Sequence, residues 1–427
     1  WCVPHIVSEP SSFYGASGLQ QTNLPIWGTC PGKTYVPDDN FEAYLEANGM
    51  GDGIANNDYV TTANISGITS LNVTNQNISD LTGIEDFTSM MQLDCGFNSL
   101  ISLDLSQNTT ITSISCNTNQ LTSLDVSGLP ITSLNFDNNP LTNLDISNCT
   151  GLSGIINVDG NTGQPNSLNL TTLNITGCSN ITELTCIGNS LTSLDFTGCN
   201  SLQSIHCSNN QITSLDVSGL AVTNFTFDNN PLDFLNISNC TGLSGIINVD
   251  GMGGSGPNLS TLNITGCSNI TELSCMGNSL TSLDFTGCNS LQSIHCSNNQ
   301  ITSLDVNGLS ITNFTFYNNP LNYLDIRNCT GLTGIINVDG GGSGSNLITL
   351  NITGCSNITE LSCMGNSLTS LDFTGCNSLQ SIHCSNNQIT TLDVSGFTNL
   401  TNFTFDNNPL TYLNMSNCTG LTGIINI

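Results

Sequence analysis

The apolar residues of this chain recur with a period too long for a helix and too regular for an ordinary globular core. Heads of the repeating pattern stand at Ile181 (ITELTCIGNSL), Leu202 (LQSIHCSNNQI), Val222 (VTNFTFDNNPL) and Leu243 (LSGIINVDG). Three of these four steps span about 20 to 21 residues and the fourth about 26 to 29, the excess being a Gly/Ser/Asn insertion such as residues 251–258. The group of four itself returns: SLDVSGL or a variant begins at Ser123, Ser214, Ser303 and Thr391, in steps of about 91, 89 and 88 residues by subtraction.

Within ITELTCIGNSL, Ile181, Leu184, Cys186 and Leu191 hold the apolar places and Asn189 a fixed polar one. That alternation predicts one short parallel strand per step, stacked on its neighbours about 4.8 Å apart with side chains alternating in and out. Asn189, Asn210, Asn230, Asn278, Asn299, Asn319, Asn366, Asn387 and Asn408 then form a ladder that satisfies turn backbone groups. The second half of each step, LTSLDVSG or LTSLDFTGC, alternates apolar and polar residues and turns at Gly, which leaves no room for a long helix. The expected architecture is a β-rich solenoid of about sixteen coils, with stacked strands on a concave side and extended or turn-like chain on a convex side, near 77 Å long.

Ahead of the repeats, Pro37, Asp38, Asp39 and Asn40 lead into FEAYLEANG, with an N-cap residue, acids in the first turn, apolar Phe41, Tyr44 and Leu45, and a stop at Gly49. A short capping helix is expected there, because the end of a solenoid exposes an apolar edge. The chain thus divides into residues 1–35, a capping region at 36–64, and the solenoid at 65–427. The first segment holds both tryptophans, Trp1 and Trp27, and a Cys2 and Cys30 pair expected to form a disulfide.

The LxxLxLxxNxL pattern, its period and its Asn column resemble the leucine-rich repeat over roughly residues 65–427. YVPDDNFEAYLEANG, followed by ISDLTGIEDFTSM and many LTSLDVS units, is similar to secreted and cell-surface leucine-rich repeat proteins of Gram-negative environmental bacteria, and more distantly to the internalin-like group. That resemblance implies export, attachment or release at the cell surface, and roles in adhesion. It names no ligand. A start on Trp1 without a Met fits removal of a signal peptide, and the end GIINI at 423–427 reads as an unfinished repeat.

Composition narrows the partners. Two basic residues, Lys33 and Arg327, stand against 31 acids, a formal charge of -29. Nucleic acid and anionic membrane both require a basic patch and are excluded as partners on this ground; cations are admitted. No apolar run approaches the roughly 18 residues that cross a bilayer.

Three constellations invite chemistry. Eighteen of the 20 cysteines fall at repeat-phased places. One set, such as Cys186, Cys207, Cys275 and Cys296, alternates with Phe136, Phe227, Phe316 and Phe405, which marks buried apolar thiols. The other sits in NCT, GCS and GCN turns and is expected to point inward as thiols too. No CxxC spacing suggests zinc.

The second constellation is the outward surface of the concave strands, where Glu183, His206 and Asn224 return as Glu272, His295 and Asn313 and as Glu360, His383 and Asn402. Successive histidines lie four coils apart, about 19 Å, so they share neither a metal nor an active site. The neighbouring Thr185, Ser204 and Thr226 offer no evident nucleophile with its own base, and no enzymatic activity is expected. These nine residues are instead candidates for binding a glycan or protein.

The third is a column of outward carboxylates in the L-[DN]-[VIFM] segment, from which Asp195, Asp216, Asp284, Asp305, Asp372 and Asp393 are candidate ligands for Ca2+, a cation that binds oxygen. The alternative is a solvated acidic face screened by salt.

Taken together, these features point to a non-catalytic extracellular structural or adhesive protein, with head-to-tail self-association through its unlike ends as a specific version. The alternative is a receptor-like module binding a glycan or protein on its concave face.

Overall fold

A computed structural model describes residues 32–160, 168–251, 258–340 and 346–421, with the backbone of Cys2–Val3 and Ile26–Trp27. The expected Cys2 to Cys30 bond and the 423–427 terminus lie outside the described residues. The fold divides into two compact units, residues 1–202 and residues 203–427.

Each unit is a stack of coils built from very short parallel strands. In the second unit, Gly245–Asn248, Ile270–Ser274, Ser293–His295 and Asn313–Thr315 pair in succession, and Gly334–Asn337, Ile358–Ser362, Ser381–His383 and Asn402–Thr404 repeat the arrangement. The first unit opens with Ser70–Asn72, Gln92–Asp94, Ser113–Ser115 and Ser133–Asn135 in the same relation. The coil's other half is extended or turn-like, as expected. In most coils it forms a second series of parallel three-residue strands, such as Ser303–Asp305, Tyr323–Asp325 and Thr349–Asn351, whereas residues 281–285 and 369–373 form none. Where the strands form, the L-[DN] alternation is the reason: Leu304, Leu324 and Leu350 point in and are buried, while Ser303 and Asp305 are exposed and Asp325 is covered by its bonds to Arg327, Tyr323 and Asn351.

Three-residue strands are too short to persist alone. Buried asparagines tie each coil to the one before. Asn299 donates from Nδ2 to the carbonyls of Cys275 (2.9 Å) and Cys296 (3.0 Å), and its Oδ1 accepts from the Leu280 amide at 3.0 Å. Asn278, Asn319, Asn366 and Asn387 repeat this bonding, and Asn98, Asn119 and Asn139 do so in the first unit. The predicted ladder is therefore present and begins earlier than the sequence reading placed it.

No disulfide joins any of the eighteen described cysteines. The strand thiols fill the interior in place of Phe. The turn thiols do more, because each Sγ donates to a carbonyl of the preceding coil, as Cys267 does to Ile237, Cys288 to Ile264 and Cys329 to Val306, at 3.0 to 3.1 Å. Asn108 occupies the same place near the start of the stack and likewise donates, from Nδ2 to the Ile84 carbonyl, whereas Leu129, Leu220, Leu309 and Phe397 fill this place with an apolar side chain. The coils approach closely there: a Cβ on Gly198, whose φ is +82, would lie 2.9 Å from the Gly177 Cα.

The expected capping helix is α1 (Asp39–Ala47), and of the residues ahead of it Asp38 is the N-cap. Beside it, Lys33–Tyr35 pairs antiparallel with Tyr59–Thr61. The Asp38 carboxylate joins helix to solenoid: Oδ1 accepts from the Asn40 and Phe41 amides at 3.0 Å, and Oδ2 from the Ser79 amide and hydroxyl at 2.8 Å and the Asp80 amide at 3.1 Å. Phe41 packs against Phe87, ring centroids 6.4 Å apart, which closes the apolar end of the first coils.

Candidate binding surface

The outward face of the first strand series carries the nine candidate binding residues. Glu183, Glu272, Glu360 and the three histidines are half-buried, whereas Asn224, Asn313 and Asn402 are exposed. Strand register sets their neighbours. Glu272 stands beside Ser293 and Ser274 beside His295, while Ser293 in turn stands beside Asn313 and His295 beside Thr315. Glu360, Ser381, His383 and Asn402 repeat the arrangement. Glutamate and histidine are thus diagonal neighbours, with a serine opposite each glutamate.

The histidines are held by hydroxyls on both sides. His295 Nε2 lies 3.0 Å from Ser293 Oγ and Nδ1 lies 2.9 Å from Thr315 Oγ1, and His206 and His383 keep these contacts within 0.1 Å. No nucleophile with its own base is evident in the sequence, yet every SIHC strand pairs a serine with its histidine. Residues two apart on a strand share a face, and that spacing was the available signal. The group orienting the ring is a threonine hydroxyl of the next coil.

Asp216, Asp305 and Asp393 end strands of the second series, whereas Asp195, Asp284 and Asp372 stand at the equivalent place of coils that form no strand there. All six are exposed, and each accepts from the amide two residues on at 2.8 to 2.9 Å, closing the turn that follows. The Thr286 hydroxyl and amide hold the Asp284 carboxyl below its usual value, and Thr197 and Thr374 do the same to Asp195 and Asp372. Asparagines of the next coil supply a further donor. Asn236 Nδ2 reaches Asp216 Oδ2, and Asn414 Nδ2 reaches Asp393 Oδ2, each at 3.1 Å. Asp284 and Asp305 line one shallow hollow of about 430 Å³. Among the described residues, only Asp39, Glu42 and Asp58 bring three metal-ligating groups within 4.8 Å of one another, and Glu42 already accepts from the Asn57 and Asp58 amides.

Both basic side chains are consumed internally. Lys33 Nζ lies 2.7 Å from the Asp52 carboxylate, and Arg327 lies 2.6 Å from Asp325, which also accepts from Tyr323 and Asn351.

Residues 356–396 match the family model described as "Leucine Rich repeats (2 copies)". The match falls on two coils whose asparagines, Asn366 and Asn387, are rungs of the ladder. These coils are leucine-rich repeats. No curated protein matches the chain. Among solved structures, the functional domain of InlJ from Listeria monocytogenes, whose description includes a cysteine ladder, is 28% identical; the alignment covers 88% of this chain and 76% of that one, with a TM-score of 0.37. A leucine-rich repeat protein of Leptospira interrogans is 20% identical over 82% and 93% of the two chains, at a TM-score of 0.32. YopM of Yersinia pestis is also 20% identical, over 82% and 88%, at 0.33. Leucine-rich repeat solenoids are as a class interaction scaffolds, generally non-catalytic, that bind through their extended faces. No helix among the described residues is long and apolar enough to cross a membrane.

Proposed function

We propose that this leucine-rich repeat chain is a non-catalytic extracellular adhesive or structural protein whose strand face engages a repetitive partner at several equivalent points. The observation that carries this reading is the recurrence of one outward set in one geometry: Glu272, Ser293, His295 and Asn313 are followed by Glu360, Ser381, His383 and Asn402 in the same register. A selective single-ligand pocket would need local variation, which these copies lack. Equivalent sites spaced four coils apart, about 19 Å, on a stiff scaffold gain avidity from effective concentration without any new contact. Labelled full-length chain, added to the cells and extracellular material of its source, is expected to bind saturably and to be displaced by unlabelled chain. Failure to coat either would overturn the reading. Self-association through the unlike ends belongs to the same proposal, although the residues that would form it, 1–35 and 423–427, lie largely outside the described ones. Negative-stain microscopy of native material tests it, with filaments expected and single particles counting against it.

A further inference from the structure

One coil in every four departs from the polar dress of the strand face. In the GIIN coils the outward residue is isoleucine, and Ile155, Ile246 and Ile335 are 62%, 64% and 62% exposed. Aligned positions of the coils that follow carry Glu, Ser and Asn. A scattered exposed isoleucine requires no explanation, but these three share one backbone device. The register shifts between Gly154 and Ile155, between Gly245 and Ile246, and between Gly334 and Ile335. Each of these glycines has a φ of +77, open to glycine and strained for other residues. Gly245 pairs with Ile270 whereas Ile246 pairs with Glu272, so Thr271 is the extra residue of a β-bulge. Bulges re-aim side chains, and this one sets each isoleucine directly beside a glutamate: Ile155 by Glu183, Ile246 by Glu272 and Ile335 by Glu360.

Among the described residues, those glutamates have no counter-charge. Lys33 and Arg327 are bound to Asp52 and Asp325, and the chain carries 31 acids against these two bases. An apolar side chain held in water next to an unneutralised carboxylate matches a ligand group that brings an apolar side chain and a cation together. A neutral or acidic glycan brings no cation, and nucleic acid and anionic membrane are repelled by the surrounding charge.

We propose that each bulged Ile–Glu pair is a docking point for a basic polypeptide, in which an aliphatic side chain of the partner packs on the isoleucine and an adjacent Lys or Arg meets the glutamate. The inference rests on the adhesive reading above and specifies the chemistry of the partner. Within the second unit the docking points at Ile246 and Ile335 are four coils apart, about 19 Å, the reach of about six extended residues.

The test uses the full chain and a labelled synthetic peptide with two Leu-Lys pairs separated by a six-residue Ser/Gly spacer, followed by fluorescence anisotropy at low and physiological salt. A Ser-Lys peptide and a Leu-Gln peptide serve as controls. The Leu-Lys peptide is expected to bind the wild type at least tenfold more tightly than either control, and more weakly as salt rises. Ile155→Ser, Ile246→Ser and Ile335→Ser combined should lose at least tenfold in affinity, and Glu183→Gln, Glu272→Gln and Glu360→Gln combined should lose both affinity and salt dependence. Melting curves confirm that these exposed or half-exposed changes leave the fold intact; if the isoleucine set alters melting, the glutamine set decides. Equal binding of the Ser-Lys peptide, unchanged binding by the isoleucine variant, or no binding to the wild type overturns the proposal. A chain that ignores every peptide yet coats its native surface overturns only the docking chemistry, while one that does neither overturns the adhesive reading as well.

Discussion

Asn299 touches four backbone groups in two coils while almost wholly excluded from water. Its replacement by Ala would strand the Leu280 amide and free the Cys275 and Cys296 carbonyls in a dry interior, at a cost of about 3 kcal/mol. Urea unfolding of Asn299→Ala should therefore show a clearly lowered midpoint, whereas an exposed asparagine such as Asn313 replaced by Ala should leave it nearly unchanged. The thiols give a second residue-scale prediction. Burial pushes the Cys116, Cys207 and Cys296 thiols up to about 12 and those of Cys199, Cys288 and Cys376 to about 11, from a usual value of 9.0. The folded state thus favours the neutral form. The resulting stability is fully present below about pH 9 and is lost as pH rises through the folded values near 11 to 12. Melting temperature should fall over that window, and a maleimide at neutral pH should label the native strand and turn cysteines slowly compared with the denatured chain, half-buried Cys418 reacting first. The interchange of Cys with Phe made burial legible in the sequence. The thiol as a donor to the neighbouring coil was not, because only the stacked geometry brings the Ile264 carbonyl to Cys288.

At the scale of single elements, periodicity revealed the strands and the asparagine column, since both depend on fixed spacing. Contacts between distant stretches were hidden. Lys33–Tyr35 finds Tyr59–Thr61 across the whole of α1, and neither three-residue stretch carries a pairing signal of its own. The bulge at Gly245 was equally hidden, because GIIN reads as an ordinary alternating strand until its register against ITELS is known. A capped helix start was legible in residues 37–40, but which residue caps it was not, nor that the second oxygen of Asp38 serves Ser79 and Asp80, some forty residues away. Asp38→Ala would remove a cap and the acceptor that fastens α1 to the first coils, costing about 3 kcal/mol. Burial would raise this carboxyl, but donors from Ser79, Phe41 and Asp80 outweigh it and hold the group below the usual 3.8. Its contribution is accordingly present above about pH 3.8 and lost as pH falls through the lower folded value. The melting difference between wild type and Asp38→Asn, which does not titrate, should shrink on acidification below that point; a constant difference would mean that the carboxylate charge contributes nothing.

For the molecule as a whole, a charge of -29 with both bases already paired is an electrostatic load that local bonding relieves only between near neighbours. Where Asn follows Asp along the column, as Asn236 follows Asp216, adjacent repulsion is replaced by a hydrogen bond. What remains acts over longer distances, and it falls within reach of salt, because the Debye length shortens to about 8 Å at 0.15 M. Raising NaCl from about 0.01 M to about 0.15 M should therefore raise the melting temperature by several degrees, the reverse of the behaviour of a fold held by surface ion pairs. Calcium separates screening from ligation. Each candidate aspartate already spends one oxygen on its own turn, and the hollow between Asp284 and Asp305 brings only two carboxylates toward a cation that takes 6 to 8 oxygens. Melts in millimolar CaCl2 and in NaCl of equal ionic strength should coincide; an additional rise in calcium, lost in Asp284→Asn combined with Asp305→Asn, would instead make the acidic column a row of calcium sites.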